Sequence, residues 1–202
     1  ILARDCNNVM EIIERAAQRR QTAEVILRDM DLLNRWRQFG RPVLVGALAF
    51  NVPVAPDIDM EIYCSELRIE DGFQVLSQCA LNSRVLSAEF NNCLNTPDQA
   101  LYWKLVCRGD DGAEWKIDMW SAPDDYALPR GEDFVEPMKA ALTPETRAAI
   151  LAIKEARAAG EVSSFLSIDL YRAVLENGVR TTDQWREWQQ THETGVLTDW
   201  KP

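Results

Sequence analysis

Val43-Leu-Val-Gly-Ala-Leu-Ala-Phe-Asn-Val-Pro-Val-Ala-Pro-Asp-Ile-Asp-Met-Glu-Ile-Tyr63 reads as a hydrophobic strand that breaks at Gly46, a short excursion, and a second strand. The second strand carries an acid at every other position: Asp57, Asp59 and Glu61. Side chains alternate faces along a strand, so these three carboxylates point one way while Ile58, Met60 and Ile62 point the other. A row of acids on one face repels itself. At an effective dielectric near 20, two unit charges about 4 Å apart cost roughly 4 kcal/mol, and the wider spacing along a strand lowers that figure without changing its sign. A divalent cation would turn this liability into a binding site.

The residues before this stretch are helical. Val9, Ile12, Ile13, Ala16 and Ala17 keep the i, i+3, i+4, i+7, i+8 spacing of an amphipathic helix. Ile26, Met30 and Leu33 continue it, with Leu32 and Trp36 slightly offset, and Gly40 and Pro42 end it. Beyond the acids, Glu66 to Leu81 suits a helix, and Arg84–Leu94 and Ala100–Arg108 read as strands. Gly109-Asp-Asp-Gly112 is a turn sequence, so Tyr102–Arg108 and Glu114–Trp120 are expected to form a hairpin. On its returning strand Lys116, Asp118 and Trp120 share a face, opposite Ile117 and Met119. A loop through Pro123, Asp124, Asp125 and Pro129 leads to a helical C-terminal part. There Thr143-Pro144 opens a helix that Gly160 stops, Leu166, Leu170, Ala173 and Val174 make a second stripe, and Thr181–Gln184 can form a capping box.

The bulk properties narrow the classes. A chain of 202 residues, 47% hydrophobic, can bury a sizeable core. A formal charge of −10 argues against broad attraction to nucleic acid or to an anionic membrane, so an extended nucleic acid partner is disfavoured. No apolar run reaches the roughly 20 residues that span a bilayer, and the opening residues show no signal-peptide pattern. Cys6, Cys64, Cys79, Cys93 and Cys107 are widely spaced, odd in number and form no C-x-x-C pair, which fits free thiols in a reducing, cytoplasmic compartment. With His192 as the single histidine, a His-based zinc site or a Ser-His-Asp apparatus has little to work with.

The order strand, Gly-containing turn, Asp-x-Asp strand and later a lone Asp between hydrophobic residues resembles the nucleotidyltransferase superfamily, the polymerase-beta-like fold. Gly46-Ala47 stands at the first motif, Asp57-Ile-Asp59 at the second and Ile117-Asp118-Met119 at the third, so the likeness covers about residues 42–121. It implies an α+β protein: a mixed sheet with N-terminal helices and a helical C-terminal part. The expected division is a nucleotidyltransferase-like unit over 1–122 and a helical part over 123–202, possible to pack as one unit. By resemblance Asp57, Asp59 and Asp118 are the catalytic and metal-binding residues, holding Mg²⁺ or Mn²⁺, and Asp118 also assists as base. Hard oxygen ligands suit Mg²⁺, which would bridge the phosphates of an NTP, with ATP the first expectation. Gly46, Ala47 and Lys116 are the nucleotide-binding candidates, through backbone N–H groups at the turn and a cation on the hairpin.

The implied reaction moves a nucleotidyl group from the NTP to a hydroxyl of a small molecule or macromolecule, with pyrophosphate released. One position departs from the pattern: where the superfamily usually has Ser or Gly, this chain has Ala47, which offers a backbone N–H but no hydroxyl. That keeps open a second reading, a non-catalytic nucleotide-binding or protein-interaction module on the same fold, and oligomers are compatible with either. Among the remaining residues Glu61 reads as a solvated or paired neighbour ahead of a metal ligand. For Asp118 the alternative is pairing with Lys116 or Lys104. Lys104, Arg108, Arg84 and Arg130 are possible phosphate contacts but more often solvated, and Trp185 and Trp188, one turn apart, read as core ahead of a stacking platform.

Overall fold

Alternation along two strands, β2 (Asp57–Cys64) and β5 (Glu114–Pro123), builds the centre of the molecule. They lie parallel, with Asp59 opposite Asp118 and Glu61 opposite Trp120. A parallel pair needs a crossover. Here the connection runs through helix α4 (Ile69–Cys79) and the antiparallel strands β3 (Val85–Cys93) and β4 (Ala100–Arg108). The expected hairpin is present, with Arg108 opposite Glu114 and Tyr102 opposite Trp120. Strand β1 (Arg41–Val45) closes the other side antiparallel to β2, giving a five-stranded mixed sheet in the order β1-β2-β5-β4-β3. The computed structural model describes residues 2–195 and 200–202, with side chains from residue 9 onward, so the Cys6 thiol lies outside the described residues.

One face of the sheet is apolar and covered. Ile58, Met60, Ile62, Ile117, Met119, Leu101, Trp103 and Leu105 are fully buried there. They pack against the second half of helix α1 (Leu2–Asp29), the short helix α2 (Leu32–Trp36) and α4. The N-terminal helix is not continuous to Gly40, because the chain breaks at Asp31, which takes a left-handed backbone with φ 49°. That break re-aims Leu32 and Trp36 into the core, which explains why both sit off the stripe of the preceding helix.

A second apolar cluster joins the first half of α1, through Ile12 and Ala16, to Val45, Phe50, Val52 and Val54 and to the C-terminal helices. These are α5 (Glu132–Ala141), α6 (Pro144–Ala158), α7 (Ser167–Glu176) and α8 (Thr182–Thr191). Residues from both sides of position 122 therefore share one core. Thr143 accepts from the Thr146 N–H, and Thr181 does the same for Gln184, so both expected caps form. Trp185 and Trp188 are buried and stacked with centroids 5.4 Å apart, inside this core. Helix α5 has no counterpart in the sequence reading, because Pro137 within it reads as a breaker. Cys64, Cys79, Cys93 and Cys107 are free thiols. Among the described residues no helix is long and apolar enough to cross a membrane.

Candidate active site

The uncovered face of the sheet carries its polar residues in rows across the strands. One row runs Val45, Asp59, Asp118, Lys104, Glu89 from β1 to β3, each residue opposite the next. Asp57 stands two residues before Asp59 on the same face, opposite Lys116. Neighbouring strands lie about 4.8 Å apart and a two-residue step along a strand is about 6.6 Å, so Asp57, Asp59 and Asp118 form one compact triangle of positions. The structure thus brings together the three aspartates and Lys116 out of the residues singled out in the sequence.

Their partners differ. Asp118 accepts from the Tyr102 hydroxyl at 2.6 Å and pairs with Lys116 Nζ at 2.6 Å. Among the described residues no hydrogen-bond donor and no cation at ion-pair distance reaches Asp57 or Asp59. Burial pushes Asp59 up to about 7, and the charges of Asp57 and Asp118 push the same way. Burial raises Asp57 too, while Lys154 and Lys116 oppose it. Burial pulls Lys116 down, but the hydrogen bond and charge of Asp118 outweigh it and hold the ammonium above its ordinary value. Two half-buried carboxylates with raised proton affinity and no partner among the described residues are a donor set that fits a hard divalent cation. Among the described residues, however, no three His, Cys, Asp or Glu side chains form a ready-made metal cage. Asp118 is turned to Tyr102 and Lys116, so it would have to exchange those contacts to join an ion held by the other two.

The Gly46 turn opens on the same spot. Gly46 has φ +66°, and a Cβ added there would come 2.3 Å from Asp59 Oδ2. Both conditions exclude any side chain: a left-handed backbone and direct contact with the carboxylate. The excursion after it is a single helical turn, α3 (Gly46–Ala49). The Ala47 methyl is half-buried against the C-terminal apolar cluster, which gives a local packing role to the residue that departs from the motif.

Glu61 belongs to a different arrangement. Its carboxylate accepts from the N–H groups of Gly131 at 2.7 Å and Glu132 at 2.9 Å, and from the Tyr63 hydroxyl at 2.6 Å. It therefore holds the N-terminus of α5 onto β2, as a carboxylate at a helix start does. The paired reading of Glu61 applies. Of the other cations, Lys104 pairs with Glu89, Arg108 with Glu114, and Arg84 with Asp29 and Asp110, while Arg130 lies over the Tyr63 ring.

Two basic residues on α6 were missed in the sequence. Lys154 is 3% exposed, and its Nζ donates to the Val52 carbonyl at 3.1 Å. Its charge acts on Asp57, as does that of Arg157, whose guanidinium donates to the Phe165 carbonyl and lies over that ring. The signal was present: Lys154 interrupts the buried stripe Ile150, Leu151, Ile153 on this helix. A lysine in an apolar stripe marks a place where the helix faces something charged.

No protein-family model matches the chain, and no curated protein matches it. Solved structures do. The Cid1 poly(U) polymerase bound to MgATP superposes with a TM-score of 0.61 at 12% identity, covering 84% of this chain and 55% of that one. A second Cid1 poly(U) polymerase structure gives 0.60 at 12% identity over 84% and 52%. A cytoplasmic RNA terminal U-transferase gives 0.54 at 12% identity over 82% and 51%. This chain spans about half the length of the structures it matches. The shared architecture, a five-stranded mixed sheet with helices before and after it, is the nucleotidyltransferase fold.

Proposed function

We propose that this chain is a metal-dependent nucleotidyltransferase that moves a nucleotidyl group from an NTP to a hydroxyl. The observation that carries the reading is the pair Asp57 and Asp59, raised in proton affinity and without partners among the described residues, with Asp59 opposite Asp118 and against a turn where only glycine fits. Asp57 and Asp59 would hold Mg²⁺ or Mn²⁺, and Asp118 would join them on leaving Lys116. When bound, the ions would lower the pKa of the acceptor hydroxyl and neutralise charge on the phosphates. Lys116, once released, has an ammonium on the acid face to meet a phosphate, and Lys154 and Arg157 supply charge from the α6 side. The backbone N–H groups of Gly46 and Ala47 would be the phosphate donors at this turn. In the transfer, a bond forms between the acceptor oxygen and the α-phosphorus. The bond from that phosphorus to its bridging oxygen breaks, pyrophosphate leaves with the electron pair, and the acceptor proton passes to Asp118.

In the same reading residues 1–122 carry the acids and the turn, and residues 123–202 form the helical part that brings Lys154 over them. The structural neighbours are a poly(U) polymerase and an RNA terminal U-transferase, so UTP stands beside ATP as a nucleotide to test. A second reading, a nucleotide-binding module without turnover, is favoured by Ala47 and by the engagement of Asp118 with Tyr102 and Lys116. The experiment measures Mg²⁺- and Mn²⁺-dependent binding of all four NTPs and pyrophosphate release, with Asp57→Asn/Asp59→Asn as control. The enzyme reading expects release that drops by on the order of 10²–10³-fold in the double variant. Tight binding without release from any acceptor would favour the second reading, and binding that the double variant leaves intact would overturn both.

A further inference from the structure

One two-residue step beyond the acids, the open face of the sheet changes character. Past Asp118 strand β5 presents Trp120 and Ala122, past Asp59 strand β2 presents Glu61 and Tyr63, and β4 presents Tyr102 and Ala100. Trp120, Tyr63 and Tyr126 wall a cavity of about 150 Å³ whose floor is Ala100 and Ala122, both buried. A void of that size holds one six-membered ring. It is coupled to the acids directly: the Tyr102 ring lies 4.8 Å from that of Trp120, and the Tyr102 hydroxyl donates to Asp118. Trp120 and Asp118 sit about 7 Å apart along their strand, the span from a ring to a hydroxyl a few bonds away.

The charged side chains that line the cavity are acids, while the Arg41 and Arg130 guanidiniums lie 5.1 and 4.8 Å from the centroid of the Tyr63 ring. Glu61 and Asp98 are its ionisable acids. Glu61 is used up on the N–H groups of Gly131 and Glu132 and on Tyr63. Among the described residues the exposed Asp98 carboxylate takes a side-chain contact only from Thr96 Oγ1, at 3.2 Å, and is open to a donor. The cations that flank Tyr63 are engaged elsewhere, Arg41 with Glu132 and Arg130 with the carbonyls of Asp124 and Tyr126. Aromatic walls accept a flat ring, a free carboxylate accepts its N–H groups, and the surrounding acids repel phosphate.

We propose that this cavity is the acceptor subsite, taking a planar heteroaromatic ring with N–H donors and no phosphate, and presenting the acceptor's hydroxyl to Asp118. The assignment rests on the nucleotidyltransferase reading above, and extends it from the transferred group to the receiving one.

The test titrates adenosine into the protein saturated with Mg²⁺ and a non-hydrolysable ATP analogue, so that the nucleotide position is filled. Adenosine is expected to bind one site, and AMP roughly tenfold more weakly. Tyr126→Ala, on the surface loop, and Trp120→Ala should each weaken adenosine roughly tenfold, because a base loses a stacking partner. Ala122→Leu, which fills the floor, should abolish it, and serves should Trp120→Ala fail to fold. The analogue's own affinity should not move in any variant. Absence of adenosine binding, indifference to Tyr126→Ala and Ala122→Leu, or a short oligoribonucleotide binding as tightly as adenosine would overturn the subsite. Failure of the ATP analogue to bind wild type would instead sink the nucleotidyltransferase reading, and adenosine titrated alone would still decide the cavity.

Discussion

The two ends of one strand face in β2 carry the same chemistry and meet opposite fates. At the Asp57–Asp59 end neither carboxylate has a hydrogen-bond or ion-pair partner among the described residues, and burial pushes Asp59 up to about 7. At the Glu61–Tyr63 end the Glu61 carboxylate accepts three hydrogen bonds, two from the start of α5 and one from Tyr63. The strand is continuous and the side chains point the same way. What differs is what arrives above them: the N-terminus of a helix over Glu61, and, among the described residues, no donor over Asp57 and Asp59. An acid on a sheet face therefore says little by itself. An acid buried without a partner costs stability, and carboxylates perturbed in this way cluster at functional sites.

The contrast can be broken most forcefully at its satisfied end. Glu61→Ala strands the N–H groups of Gly131 and Glu132 and the buried Tyr63 hydroxyl, and should destabilise the protein by about 2–4 kcal/mol. Urea unfolding measures it, and the metal-free and Mg²⁺-loaded proteins should lose similar amounts. Loss of Mg²⁺-dependent nucleotide binding with stability intact would instead move Glu61 into the site.

At the unsatisfied end the expected sign is the reverse. In chelator the folded state keeps a proton on Asp59 that the unfolded chain has lost, between the ordinary value of 3.8 and about 7. Stability should therefore fall as pH rises through that window and level off above it. Asp59→Asn should flatten the fall and stabilise the metal-free protein at pH 8 by about 1–3 kcal/mol. That is below the ~4 kcal/mol a rise from 3.8 to about 7 corresponds to, since solvent still touches the site. Thermal denaturation across pH tests this, and a wild-type curve without slope would remove the electrostatic basis of the contrast.

The smallest effect belongs to Ala47. Ala47→Ser restores a hydroxyl at the turn and should tighten Mg²⁺–NTP binding a few-fold, one hydrogen bond's worth of about 1 kcal/mol. Calorimetry would read it. Weaker binding would show that the methyl's place against the C-terminal cluster matters more than a phosphate contact.

Much of the sheet was legible because strand alternation is a local property. The faces of β2 and β5, the Gly109–Gly112 turn, the Thr143 N-cap and the Thr181 capping box follow from neighbours a few residues apart. The misses have specific causes. Asp31 adopts a left-handed backbone that no pattern of apolar residues announces, so the helix break was invisible except as the offset of Leu32 and Trp36. Helix α5 was hidden by Pro137. Lys154 takes its meaning from Asp57, almost a hundred residues earlier and on another element, so its place in the apolar stripe does not say which charge it faces.

From its sequence alone this protein's sheet-forming segments, its turn at Gly46 and the common face of Asp57, Asp59 and Glu61 could be stated, because alternation, backbone freedom and capping act over a few residues. The tertiary structure alone decided which acids remain open. The parallel pairing of β2 with β5 set Asp118 beside Asp59, and the approach of α5 took Glu61 out of the group. Desolvation and hydrogen-bond satisfaction are sums over everything packed nearby, and a linear chain does not carry that sum.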